Sequence, residues 1–167
     1  AGFIGSAFIR YVISQTPDSI VNFDKLSYAG NLDSLKSFEG SKKYSFIHGD
    51  ICKTDELKAA IFSSNPDCII HFAAETHVDR SIENPEVFIQ NNIIGTFNLL
   101  NISKQYLENI DTNSKKKFVF HHVSTDEVYG DLGHADNLFT EASPYKPSSP
   151  YAASKASADH LVAAWNR

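Results

Sequence analysis

Tyr151 and Lys155, in the stretch YAASK, are the pair of residues whose types and spacing most directly suggest chemistry. Four residues apart near the start of a helical pattern, they lie on one face, a turn apart. A lysine ammonium close to a phenol stabilises the phenolate and lowers its pKa from about 10. Tyrosine then becomes usable as a base near neutral pH, able to take a proton from a sugar hydroxyl while hydride leaves for a nicotinamide. Taken alone, Tyr-x-x-x-Lys is common on ordinary helices, so the rest of the chain must decide. A second stretch, HHVSTDEVYG, sets Thr125, Asp126 and Glu127 directly after an apolar run; the bland reading of that pair of carboxyls is a cap on the turn before VYG.

Three further places point to one cofactor. AGFIGS keeps Gly2-x-x-Gly5 at a helix start, where glycines let a backbone approach a pyrophosphate held by amides and the helix dipole; two such glycines also mark tight turns. Asp24 ends the next strand about 20 residues after Gly2, where a dinucleotide-binding unit places the acid that accepts from the adenosine ribose hydroxyls. Its charge repels a phosphate at that place and favours NAD over NADP, although a strand-end Asp can also cap a turn. KLSYAGN (Lys25 to Asn31) follows with no apolar period and is expected beside the adenosine. In HGDI, Asp50 and Ile51 suit an adenine amino group and ring face, with capping of the following helix as the alternative. In HFAAETHVDRS, Ala73 and Ala74 allow close approach of a cofactor, and Thr76 and His77 could reach a substrate; a surface-loop histidine is the plain reading of His77. His48, His71, His121 and His122 alternate with apolar residues, lack zinc-like spacing and read as structural, so no metal is expected.

The elements that must position these residues alternate. SIVNFD (Ser19 to Asp24), YSFIHGD (Tyr44 to Asp50), DCIIHFAA (Asp67 to Ala74) and KFVFHHVS (Lys117 to Ser124) read as strands. SAFIRYVISQ, TDELKAAIFSS, PEVFIQNNIIGTFNLLNISKQYLE and SPYAASKASADHLVAAWN read as helices, with a short helix or loop between the first two strands. Thr54, with Glu56 and Leu57, opens one helix, and Ser149 followed by Pro150 opens another. Such alternation predicts an α/β fold with a doubly wound parallel sheet, whose ligands bind outside the carboxyl ends of the strands. Each candidate residue above follows a predicted strand or starts a helix. The irregular segment Asp131 to Ser148 is long enough to suggest function.

Composition narrows the class. The 167 residues suit a single domain, and 42% hydrophobic with 21% charged residues is ordinary for a soluble protein. A net charge of -5 argues against nucleic-acid binding, and Lys115, Lys116 and Lys117 read as a solvated turn. No run approaches the roughly 20 apolar residues of a membrane span. Cys52 and Cys68 have no metal-like spacing, and Cys68 is expected to be a buried, reduced thiol. A cytoplasmic protein is expected. The chain holds no methionine, opens in what looks like the middle of a motif and stops inside a helical pattern. It reads as a piece of something longer.

Gly2-Phe3-Ile4-Gly5, Asp24, STDEVYG (Ser124 to Gly130) and YAASK, in this order and spacing, resemble the extended short-chain dehydrogenase/reductase family. DKLSYAGNL, AAETHVDRS and STDEVYG are similar, within it, to enzymes that remove water from a nucleotide-activated sugar. The resemblance implies an NAD-binding Rossmann domain over residues 1–167, lacking its first strand and a substrate domain that would follow. It implies cofactor contacts from Gly2, Phe3, Ile4, Gly5, Asp24, Lys25, Leu26, Ser27, Asp50 and Ile51. Phe72, Ala73, Ala74, Thr76, Asn91, Ser124, Tyr151 and Lys155 complete that set, while Thr76, His77, Thr125, Asp126 and Glu127 would touch the substrate, dTDP-glucose.

By the same resemblance, Tyr151, assisted by Lys155, takes the carbon 4 hydroxyl proton, and Thr125 bonds that oxygen. Glu127 matches the base for the carbon 5 proton and Asp126 the acid for the carbon 6 hydroxyl. Two adjacent carboxyls can divide such work by repelling each other's charge. Family members that only epimerise or decarboxylate lack this pair. The family commonly forms homodimers through helices matching Pro85 to Glu108 and Ser149 to Asn166. A UDP-glucose dehydratase or epimerase, and a non-catalytic NAD-binding protein, are the alternatives.

Overall fold

The computed structural model describes residues 1–132 and 138–166. The irregular segment Asp131 to Ser148 therefore falls partly, at 133–137, outside the described residues. The chain forms two compact units, Ala1–Pro66 and Asp67–Arg167, and in each of them parallel strands are joined through helices.

In the first unit, α1 (Phe3–Gln15) starts three residues earlier than its apolar period suggests, with Gly2 in extended conformation as its cap. It buries Ile9 and Ile13, four apart, with Leu35, and Ile20, Phe38 and Tyr44 pack against them. Each fully buried aliphatic side chain of this kind is worth about 1.5–3 kcal/mol. Thr16 and Pro17 end the helix, since the residue before a proline is pushed out of helical conformation. β1 (Ile20–Asp24) and β2 (Tyr44–His48) pair in parallel with Ile20 opposite Tyr44 and Asp24 opposite His48. Asp24 and the Gly49-Asp50 step thus share one carboxyl edge. Leu32–Phe38, where the sequence pattern allows a short helix or a loop, is a 3₁₀ helix capped by Asn31, whose side chain accepts from the Asp33 N–H at 2.9 Å. α2 (Thr54–Ser64) begins where Thr54 predicts, although Thr54 itself makes no cap, and ends on Asn65 at φ 47°. Asparagine tolerates that left-handed position well.

In the second unit, β3 (Cys68–His71) pairs in parallel with β4 (Val119–His122), Cys68 opposite Val119 and His71 opposite His122. Cys68 is exposed rather than buried: it sits at the first position of the strand, before burial sets in toward His71. Neither cysteine is in a disulfide. The single helix expected over Pro85 to Glu108 is three pieces: α4 (Pro85–Phe88), a wider π-helical stretch (Ile89–Ile94) and α5 (Gly95–Asn109). Two short helices escape a periodicity search, α3 (Val78–Glu83) and α6 (Thr112–Lys117). Asp111 caps α6 by accepting from the Asn113 and Ser114 amides, and Lys115, Lys116 and Lys117 form its last turn, where cations suit the helix dipole. α7 (Pro150–Trp165) starts as expected, Ser149 Oγ accepting from the Ala152 N–H at 3.0 Å. Among the described residues no helix is long and apolar enough to cross a membrane.

Candidate functional site

The first unit carries the residues suited to a dinucleotide. A Cβ built on Gly5 meets nothing within 4 Å, and one on Gly2 only the Ala29 carbonyl at 3.8 Å. Packing inside the chain therefore does not explain these glycines. The first turn of α1 holds no acidic residue to offset the positive end of its dipole. Phe3 and Ile4, at 88% and 63% exposure, flank that end.

Asp24 closes β1 with two bonds: Oδ1 accepts from the Leu26 N–H at 2.7 Å and Oδ2 from the Ala1 amino group at 2.6 Å. The first of these is the turn cap that the plain reading predicts, so the carboxylate is a turn device as well as an edge charge. Leu26 adopts φ 52°, uncommon for a leucine. A Cβ on Gly30 would stand 2.9 Å from Leu26 Cα, which explains that glycine. Beyond β2, a cleft of about 320 Å³ is lined by Lys25, His48, Gly49, Asp50, Lys53 and Glu56. A Cβ on Gly49 would overlap the Phe23 ring. Asp50 Oδ1 accepts from the Cys52 N–H at 2.8 Å, and the Asp50 N–H donates to Glu56 Oε2 at 3.1 Å. That backbone bond, then Lys53, holds the Glu56 carboxyl below its usual range. Ile51 is buried. Ser27 accepts from the Gly30 N–H through its carbonyl.

The second unit holds the reactive set. After β3, Phe72 and Ala74 are half-buried and Ala73, Thr76 and His77 exposed; His77 stands at the start of α3. This loop is fastened at Glu75, whose N–H donates to Asn92 Oδ1 at 2.8 Å and whose carbonyl accepts from Asn92 Nδ2 at 3.0 Å. Asn91, the predicted contact, donates through Nδ2 to the Val87 carbonyl of its own helix at 2.8 Å. Asn92 is the neighbour that sequence reasoning missed; a polar pair inside an apolar helix was the available signal.

At the end of β4, Thr125 caps the 3₁₀ turn Asp126–Tyr129, accepting from the Glu127 N–H at 3.3 Å. The cap thus comes from Thr125, leaving Asp126 and Glu127 as exposed carboxyls on a shaped turn. Burial, then Asp126 and Asp131, raises the Glu127 pKa. Tyr151, 7% exposed, meets the Phe88 ring edge-on. Burial pushes its phenol above the ordinary value; a side-chain hydrogen bond with Thr125 pulls the other way, and Glu127 and Asp126 push up again. These interactions gather Thr125, Asp126, Glu127 and Tyr151 into one site. Lys155, 4% exposed, donates from Nζ to the Val123 carbonyl at 2.7 Å. Its ammonium does not set the direction of the phenol's shift, as the spacing alone suggests; burial does. Burial likewise lowers the Lys155 pKa, and Asp159 opposes it.

Ser124 Oγ donates to Asp159 Oδ2 at 2.5 Å. His71 is structural, as expected: fully buried, Nε2 at 2.9 Å from Thr96 Oγ1, its pKa pushed down to about 3 by burial, then by His122 and Lys155. His122 beside Lys155, Asp159 beside Ser124, and Tyr145, which donates to Asp159, do not stand out as site residues in the sequence, although Asp159 follows Lys155 by four on the same helix.

The model of the family described as GDP-mannose 4,6 dehydratase matches residues 1–167. A dTDP-glucose 4,6-dehydratase of Neisseria meningitidis is 55% identical over 167 residues, all of this chain and 47% of that protein. The chain thus spans about half the length of the curated relatives it matches. Among solved structures, the dTDP-glucose 4,6-dehydratase DesIV of Streptomyces venezuelae, with NAD bound, is 39% identical with a TM-score of 0.87, covering 100% of this chain and 49% of that one. A UDP-glucose 4-epimerase of Brucella ovis in complex with NAD is 27% identical with a TM-score of 0.82, covering 99% and 45%. This chain has the α/β fold of those NAD-binding proteins, and the fold alone does not separate dehydratase from epimerase.

Proposed function

The chain belongs to the GDP-mannose 4,6-dehydratase family, and from that premise we propose that it is the NAD-binding domain, residues 1–167, of a dTDP-glucose 4,6-dehydratase acting in deoxysugar synthesis. One observation carries the choice of reaction: the exposed Asp126-Glu127 pair, set by the Thr125 cap at the end of β4, interacts with the buried phenol of Tyr151. A tyrosine and lysine suffice to oxidise a sugar; removing water also needs an acid and a base at neighbouring carbons.

NAD, when bound, supplies a hydride acceptor that later returns the hydride. The open space at Gly2 and Gly5, the acid-free start of α1 and the Asp24 carboxylate fit its pyrophosphate and adenosine ribose. Asp50 borders the cleft suited to the base, with Ile51 buried next to it in sequence, and Asp24 disfavours the extra phosphate of NADP. Tyr151, with Lys155 behind it, removes the carbon 4 hydroxyl proton, and Thr125 holds that oxygen. The resulting ketone acidifies the carbon 5 hydrogen, which Glu127 takes; its raised pKa makes it a stronger base than an ordinary carboxylate. Asp126 gives a proton to the departing carbon 6 hydroxyl. Thr76 and His77, exposed beside the Asn92 anchor, face the substrate. A homodimer through α4, α5 and α7, and a cytoplasmic setting in keeping with two cysteines outside any disulfide, complete the reading.

Full-length protein supplied with dTDP-glucose and, separately, UDP-glucose tests it. The expected result is a 4-keto-6-deoxy product from dTDP-glucose. Interconversion of glucose and galactose without loss of water would establish an epimerase instead, and cofactor binding with no turnover of either sugar would leave a binding protein.

A further inference from the structure

We propose that Asp159 is a positioning residue for Lys155: from one turn further along α7 it binds Ser124 and stands against His122, the residues on either side of the carbonyl that holds the lysine ammonium. Only the use made of Lys155 rests on the functional reading above. Lys155 Nζ donates to the Val123 carbonyl at 2.7 Å. Ser124, the residue after, donates from Oγ to Asp159 Oδ2 at 2.5 Å. His122, the residue before, stands with Nε2 at 3.1 Å from Asp159 Oδ1. Two side chains four apart on α7 thus bond Val123 and Ser124, just past the end of β4, and pack against His122, its last residue.

The grip is needed because regular pairing stops there. The last register pair is His71 with His122; beyond it the Val123 N–H still donates to the His71 carbonyl at 3.2 Å, while the Val123 carbonyl turns to the lysine. A lysine stem has much rotamer freedom to lose, so a movable acceptor would hold the ammonium poorly. Bonds to a carboxylate are charge-assisted and shorter than neutral ones. Asp159 Oδ2 accepts a second such bond from Tyr145 OH at 2.9 Å, which pushes that phenol's pKa, already raised by burial, up to about 12. The Tyr145 ring lies 5.4 Å from Tyr129 and 5.1 Å from His160, so the clamp also fastens the segment leading into α7.

His122 fits the same role. Its Nε2 is 3.5 Å from Lys155 Nζ and 3.1 Å from Asp159 Oδ1, and one ring nitrogen serves only one of those neighbours at a time. Its Nδ1 and Asp159 Oδ1 are buried without an aligned hydrogen bond. The imidazole is therefore a wedge between cation and carboxylate, and the aligned bonds of the clamp run through Ser124 and Tyr145.

The test compares Asp159→Ala with Asp159→Asn in the full-length holoenzyme. Both remove the charge, but the amide keeps an acceptor for Ser124 and Tyr145. The first readout is the reductive methylation rate of Lys155, followed by peptide mass; the second is kcat and KM for NADH formation with dTDP-glucose. Asp159→Ala is expected to raise Lys155 labelling and lower kcat by about tenfold or more with KM changed less than about threefold, and Asp159→Asn to restore most of both. Equal labelling in the two variants overturns the clamp. Should Asp159→Ala fail to fold, Tyr145→Phe decides, since it removes one bond and leaves the carboxylate: labelling above wild type supports the clamp and wild-type labelling overturns it. If wild-type protein forms no NADH with dTDP-glucose, the functional reading fails, while the labelling rates still decide the clamp.

Discussion

Asn92 Nδ2 donates to Ser154 Oγ at 2.9 Å, joining the π-helical stretch to α7 across 62 residues of sequence. Ser154 passes the bond on to the Tyr151 carbonyl at 2.7 Å, so one buried amide links the loop at Glu75 to the helix that carries Tyr151 and Lys155. The wider turn that interrupts the helical pattern thus has a structural use: it brings an asparagine to a place where both ends of its amide are satisfied. Such π-helical turns are frequent at functional sites.

Asn92→Ala is expected to cost about 2–4 kcal/mol, because it removes three bonds and leaves the Glu75 amide groups partly buried and unpaired. Urea unfolding of the full-length protein measures it. A loss below about 0.5 kcal/mol would show that water replaces the amide at no cost.

Glu127 and Tyr151 should separate the reaction into halves. Glu127→Gln is expected to stop exchange of the carbon 5 hydrogen with solvent while NADH still forms; Tyr151→Phe should suppress NADH formation from the start. Because burial, Asp126 and Asp131 raise the Glu127 pKa, exchange should rise with pH through a value above that of an ordinary glutamate. Solvent-deuterium incorporation followed by NMR reads both, and normal exchange in Glu127→Gln would remove Glu127 from the role of base.

The parallel pairing, the Ser149-Pro150 helix start and the place of the acid pair after β4 were all legible, because each depends on local period or on a single capping residue. Asn92 and Asp159 were not: their roles come from bonds to residues 17 and 62, and 35 and 14, positions away. Cys68 was misplaced for a related reason, since an apolar run does not say which strand position first becomes buried. The direction of the Tyr151 shift failed likewise, because helical spacing places Lys155 a turn away but says nothing of how deeply the phenol is buried.

His71 makes stability depend on acid. Its folded pKa of about 3 lies below the usual 6.5, so the unfolded chain takes up a proton that the folded chain refuses. Stability is therefore retained above about pH 6.5 and lost as pH falls toward 3, by up to about 1.4 kcal/mol per pH unit from this residue. His71→Gln, which keeps a donor for Thr96, should flatten that slope by about one proton in denaturant titrations across this range. An unchanged slope would show that His71 takes up its proton before unfolding.

Gly130 holds φ 88° and ψ -150°, a region essentially closed to other residues, and a Cβ there would overlap the Lys146 carbonyl. The Lys146 N–H donates to the Val128 carbonyl at 2.9 Å, so this contact seats the segment before α7 on the turn that carries Asp126 and Glu127. Gly130→Ala is expected to cost about 2 kcal/mol or more and to lower kcat by misplacing the acid pair. A thermal melt with steady-state kinetics checks both; wild-type values would show that the turn relaxes freely.

Phe97 and Trp165 meet edge to face at 5.9 Å, yet each remains 38% exposed, and Val87, Ile89 and Ile94 add further exposed apolar surface on α4 and the π-helical stretch. Exposed apolar clusters of this kind mark interaction surfaces, and these helices are the ones expected to join two copies of the chain. Aromatic residues at the centre of an interface commonly carry about 2 kcal/mol or more, so Phe97→Glu should weaken self-association by about thirtyfold or more. Sedimentation velocity of the full-length protein over a dilution series would show the dimer boundary giving way to monomer at a higher concentration in the variant. An unshifted boundary would place the dimer contact elsewhere and leave the Phe97–Trp165 pair as packing within one chain.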